Sequence, residues 1–175
     1  MKDLMRQKVA VQDNILQLLN NQVKLEAQSS STYLAMAAWC DQNGFDQSAK
    51  FFYDQSGEER DHMLKLFHYV SDMGGIAAAP AVAKPQSDYS SLRELFETTL
   101  EGEINVTESI NQIVAACRKA GDFATENFMQ WFVKEQVEEE YVIRRALEYF
   151  EMLGEDAASL LMIDERISHI SYSEE

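Results

Sequence analysis

Glu59 and His62 stand three residues apart in the stretch SGEERDHM. On a helix that spacing puts a carboxylate and an imidazole one turn apart on the same face. Alone, a Glu-x-x-His pair is common on charged helices and says little. Its weight comes from three further glutamates. Walking the chain at about 100° per residue places Glu26, Glu103 and Glu139 inside otherwise apolar helical stripes. Leu19 and Tyr33 flank Glu26, Phe96 and Ile110 flank Glu103, and Phe52 and Leu66 flank the Glu59–His62 pair. Around Glu139 the stripe reads Phe128, Phe132, Glu135, Glu139, Val142, Ala146 and Phe150. Burying one unpaired carboxylate costs several kcal/mol or forces it to protonate. No Lys or Arg falls on these stripes to neutralise the four. Four negative charges and one imidazole call for about two divalent cations, because buried charges are paired or coordinate metals. Oxygen-rich ligation with one nitrogen suits Fe or Mn better than a thiolate-seeking metal, and Mg and Ca stay open on ligand type alone.

The elements that carry these residues follow from the punctuation. Both prolines, Pro80 and Pro85, lie in one segment that reads as a loop over about 74–89. Asn43-Gly44 and Gly121-Asp122 read as turns, and Gly154 as a helix stop. Between them helical periodicity predicts helices over about 13–42, 46–73, 90–119 and 122–153, and a short fifth over about 156–171. Short turns make the first and second helices antiparallel, and likewise the third and fourth. The middle loop is long enough to cross the bundle and leave helices two and three parallel. The fold class is all-α, a four-helix bundle with one long crossover, expected as a single domain over residues 1–175. Glu26, Glu59, Glu103 and Glu139 all fall near the middle of their helices, so they meet at one level whichever way each helix points.

Composition narrows the function. A formal net charge of −15 excludes nucleic acid and anionic membrane as partners, since both are bound by Lys and Arg. No apolar run approaches the roughly 20 residues that span a bilayer. The N-terminal MKDLMRQKVAVQDN lacks the apolar block of a secretory signal. Cys40 and Cys117 are too far apart in sequence for a metal or redox motif and fit reduced core thiols. A cytoplasmic location is expected. His68 and His169 read as surface or packing residues.

Four motifs in order resemble the ferritin family, and most closely the bacterial non-haem ferritins. They are KLEAQSSSTYLAMAAWC around Glu26 and Tyr33, SGEERDHM around Glu59 and His62, LEGEINV around Glu103, and NFMQWFVKEQVEEE around Glu139. The resemblance runs from about Ile15 to Ser168. It implies a ferroxidase centre with one iron site at Glu26, Glu59 and His62, and a second at Glu59, Glu103 and Glu139 with Gln136 nearby. Tyr33 matches the family's tyrosine beside that centre. A third iron site is implied at Glu58, Glu135, Glu138 and Glu139; the helical wheel sets Glu135 on the core stripe and Glu58 and Glu138 at its edge. The family's function is to oxidise Fe(II) with O2 or H2O2 and store a ferric mineral inside a hollow homo-oligomer of 24 subunits. Acidic channels near the start of the fourth helix suggest Asp122 and Glu126 for iron passage, although acids also cap helices there. Apolar residues off the core stripes, Leu16, Leu25, Leu34, Trp39, Leu64 and Phe67, fit either subunit contacts or a broad core.

The chain departs from two sister families. Bacterioferritins carry a second Glu-x-x-His on the fourth helix, where this chain has Glu139 in place of the histidine, and bind haem through a methionine where this chain has Arg60. No haem is expected. Rubrerythrins add an iron–cysteine module that two isolated cysteines cannot build. Two other readings remain at this level: a di-iron or di-manganese oxidase or peroxidase on the same bundle without storage, and a metal-free interaction bundle.

Overall fold

The computed structural model describes residues 9–173. The expected domain limits at 1 and 175, and most of the N-terminal segment read for a signal, lie outside that range. Five helices form: α1 (Asp13–Asn43), α2 (Asp46–Asp72), α3 (Leu92–Ala120), α4 (Phe123–Leu153) and α5 (Ala157–Ile167). Among the described residues there is no strand. The four long helices match their expected bounds to within two residues. α5 stops at Ile167, short of the expected 171, because the chain turns there and Tyr172 packs its ring on Tyr141 of α4 at 5.4 Å.

The ends of the helices show why they stop where they do. Gly44 and Gly121 take left-handed conformations (φ 77° and 71°), and the residue after each donates back into the last turn. Phe45 N reaches Cys40 O at 3.0 Å and Asp122 N reaches Cys117 O at 2.9 Å. Both are Schellman closures, which glycine enters without a Cβ penalty. α3 begins later than expected because Ser91 caps it, accepting from Glu94 N at 3.1 Å, while Glu94 returns to Ser90 N at 2.6 Å.

α1 packs along α2 and α3, and α3 along α4, while α5 lies across the ends of α2 and α4. Reciprocal hydrogen bonds between Ser30 and Ser56, each hydroxyl on the other's carbonyl at 2.7 and 2.8 Å, let α1 and α2 approach closely. The crossover is fastened to α1 by two side-chain amides. Asn20 accepts from Ala78 N at 2.8 Å and donates to Ile76 O at 3.1 Å; Gln28 does the same with Ala83 N and O at 2.8 and 3.2 Å. Each amide thus satisfies one donor and one acceptor of a loop that has no ladder of its own.

Two apolar clusters fill the bundle. One gathers Phe52, Phe96, Ile143, Phe150 and Ile163, and the other Ile15, Leu19, Leu66, Ile110 and Phe132. A layer of polar side chains separates them. Burial of each such side chain contributes about 1.5–3 kcal/mol, which holds the backbone rigid on both sides of that layer. Cys40 and Cys117 are buried in the clusters, and burial pushes their thiols up to about 12 and about 11. Of the off-stripe apolar residues, Leu16, Trp39 and Phe67 pack against the clusters, and Leu64 is half-buried. Leu25 and Leu34 stay exposed.

Candidate metal centre

The middle of the bundle brings together the five residues that the helical stripes single out. Glu26, Glu59 and Glu103 are each 1% exposed, Glu139 6% and His62 7%. α1, α2, α3 and α4 each supply one carboxylate, and α2 adds the imidazole. Glu26, Glu59 and His62 each offer one ligand atom, and these atoms all lie within 4.8 Å of one another. His62 Nδ1 is 3.5 Å from Glu59 Oε2, and its ring is held edge-on by Trp131 and Phe132. Among the described residues, Glu26 Oε2 and both oxygens of Glu59 are buried with no hydrogen-bond partner. Buried oxygens left bare in this way are what a cation would satisfy.

The other oxygen of Glu26 and both oxygens of Glu103 are aimed by side chains. Gln22 Nε2 donates to Glu26 Oε1 at 2.8 Å, and Gln22 Oε1 accepts from the Ser109 hydroxyl at 2.5 Å. Gln136 Nε2 donates to Glu103 Oε2 at 3.2 Å, and Gln136 Oε1 faces the Thr107 hydroxyl at 2.9 Å. The Tyr33 hydroxyl donates to Glu103 Oε1. A hydroxyl, an amide and a carboxylate therefore form a relay on each side of the centre, of the kind that orients metal ligands. Gln22 stands four residues before Glu26 and has no role in the sequence reading; the i, i+4 Gln–carboxylate spacing was the available signal. Ser109, from another helix, left none.

Electrostatics show the strain of this arrangement. Burial, with the charge of Glu59 next, pushes Glu26 well above the usual carboxylate range. Burial and then Glu103 do the same for Glu59 and for Glu139. Glu103 is raised less sharply: burial lifts it, and its bonds from Tyr33 and Gln136 hold it down. Burial also raises the Tyr33 hydroxyl well above its ordinary value. Burial without compensation favours the uncharged form of these carboxyls.

α2 and α4 stand further apart than the other neighbours, and an acidic cleft of about 470 Å³ opens between them. At one end Tyr69 stacks on Phe128, with centroids 3.7 Å apart. Glu58, Glu135, Glu138 and Glu139 all line this cleft, with His62 at its wall. Glu58 accepts from Gln55 Nε2 at 2.6 Å, and partial desolvation against the cleft wall raises its carboxyl. The helical wheel misplaced one of the four. Glu135 is only half-buried, and Gln136 takes the core position, because the buried face of α4 runs Met129, Phe132, Gln136, Glu139, Ile143, Ala146, Phe150. Glu58 and Glu138 are exposed, as their edge positions predict.

Asp122 caps α4, accepting from Thr125 N at 3.0 Å, and Glu126 pairs with Arg118 Nε at 2.7 Å. His68 and His169 are exposed. Among the described residues no helix is long and apolar enough to cross a membrane.

The family model for the ferritin-like domain matches residues 16–153, the span that carries all four glutamates. The chain belongs to the ferritin family. Iron binding and storage come with that membership. The chain is 42% identical to a probable bacterial non-heme ferritin-like protein of Haemophilus influenzae, covering 91% of this chain and 96% of that one. It is 35% identical to the bacterial non-heme ferritin of Staphylococcus aureus, covering 93% and 98%. Its fold superposes on an open-pore ferritin of the archaeon Archaeoglobus fulgidus with a TM-score of 0.88, at 36% identity and with 92% and 98% covered.

Proposed function

We propose that this ferritin chain oxidises Fe(II) at the mid-bundle carboxylates and delivers Fe(III) for storage as a mineral inside a hollow homo-oligomeric shell of 24 cytoplasmic subunits. The observation that carries this reading is the set of bare oxygens on Glu26 and Glu59 beside His62, buried without a hydrogen-bond partner among the described residues. Iron is substrate here rather than resident cofactor. Glu26, Glu59 and His62 hold one Fe(II); Glu59, Glu103 and Glu139 hold a second, with Glu59 shared.

Two iron ions within reach of one oxidant let each give a single electron to it. Dioxygen takes two electrons and two protons to leave hydrogen peroxide; peroxide, as the oxidant, takes two of each to leave water. Fe(II) binds the charged carboxylates, so its binding competes with protonation of these groups. Tyr33 fixes Glu103 through its hydroxyl. Glu58, Glu135 and Glu138 beside Glu139 form a third, more exposed iron site on the path from the centre, and Asp122 and Glu126 guide cations towards the shell interior. Haem is not part of this reading, since Arg60 stands where bacterioferritins have the methionine that holds it.

Equilibrium dialysis against Fe(II) without oxygen tests the centre. About two tightly held irons per chain are expected, apart from weaker binding at the exposed third site, and Glu59→Ala should abolish both, because Glu59 is shared. Undiminished binding by that variant contradicts the assignment.

A further inference from the structure

The acidic cleft between α2 and α4 suits cations, but a neutral oxidant gains nothing there. A second opening lies on the opposite side of the centre. Between α1 and α3 runs a groove of about 340 Å³, walled by Ser29, Thr32, Asn105 and Gly102 and floored by Tyr33 and Met36. Among the described residues Glu101 is the only charged one that lines it. The floor is also the wall of the centre, since the Tyr33 hydroxyl donates to Glu103.

Gly102 has no local reason to be glycine. It sits inside α3, where glycine costs about 1 kcal/mol relative to alanine. Its φ is not positive, and a Cβ built there meets nothing within 4 Å. Neither backbone geometry nor packing excludes a side chain. A side chain would project into open space on the groove, and its absence leaves that space clear.

We propose that the α1/α3 groove is the approach by which a small neutral oxidant, dioxygen or hydrogen peroxide, reaches the centre, and that Gly102 keeps it open. This rests on the reading of the centre as a ferroxidase. Cations and oxidant then arrive from opposite faces, and Tyr33 stands where the oxidant's route ends.

Gly102→Leu, with Ser29→Leu from the facing wall as a second variant, tests the route in the assembled protein. Co(II) absorbance first reports whether the carboxylates and His62 still bind metal. Initial rates of Fe(II) oxidation are then measured against dissolved dioxygen and, separately, against hydrogen peroxide. Expected are unchanged Co(II) binding, a kcat close to wild type and a kcat/KM for the oxidant lowered about tenfold, in both variants. A loss seen with one oxidant only identifies the one that uses the groove. Unchanged oxidant dependence with Co(II) binding intact overturns the groove and leaves the centre standing. Wild-type oxidation no faster than buffer overturns both.

Discussion

Gln22 holds Glu26 at 2.8 Å, and because Gln22 is itself held by Ser109 of α3, a carboxylate on α1 is aimed by a neighbouring helix. The bond also lowers the carboxyl's affinity for a proton, against the larger effect of burial. Gln22→Leu keeps the volume and removes both. Its expected consequence is a loss of about tenfold or more in metal affinity, the usual cost of removing a partner behind a ligand. Calorimetric titration with Zn(II), which is not oxidised, measures it; an unchanged affinity would show that Glu26 needs no aiming.

The same burial makes the metal-free protein sensitive to pH. Glu59 has its carboxyl raised in the fold, so the folded state holds the proton more tightly than the unfolded chain does. The resulting penalty is absent below the unfolded value near 4.5 and grows as pH rises from there through the raised folded value. Metal-free Glu59→Gln should therefore unfold later than wild type at pH 7.5, by about 1–4 kcal/mol. The gap should close as pH falls towards 4.5. Adding Zn(II) should reverse the order, since only wild type gains the bound metal. Thermal melts at the two pH values, with and without metal, check all three.

Asp164 on α5 accepts from Ser48 N at 2.8 Å, Ser48 Oγ at 2.6 Å and Gln47 N at 3.1 Å. α2 has no side-chain cap of its own at Phe45, so a residue more than a hundred positions away supplies one. Asp164→Ala should cost about 2–4 kcal/mol by leaving buried donors unpaired. Hydrogen exchange should show α5 losing protection before α1 to α4. Equal loss across all helices would argue against a local clamp.

Much of this was legible beforehand. The meeting of Glu26, Glu59, Glu103 and Glu139 follows from position alone, because mid-helix residues of packed helices share a level. The phase of α4 was not. Both the expected and the observed faces contain Phe132, Glu139, Ala146 and Phe150, and they differ only in choosing three or four residues for each step between. A helix of 31 residues leaves that choice to its neighbours, and it decided between Glu135 and Gln136. Asp164 was unreadable for another reason. An aspartate on a short helix ordinarily faces water, and only the docking of α5 against α2 buries it.

The central claim is that the bare oxygens of Glu26 and Glu59, with His62, make a catalytic iron site. Stopped-flow absorbance after mixing metal-free protein with about two Fe(II) per chain in air tests it most directly, run beside His62→Ala. A fast near-ultraviolet rise in wild type that is lost in the variant is the expected result. Equal rates in the two, or a wild-type rise no faster than oxidation in buffer, would contradict it.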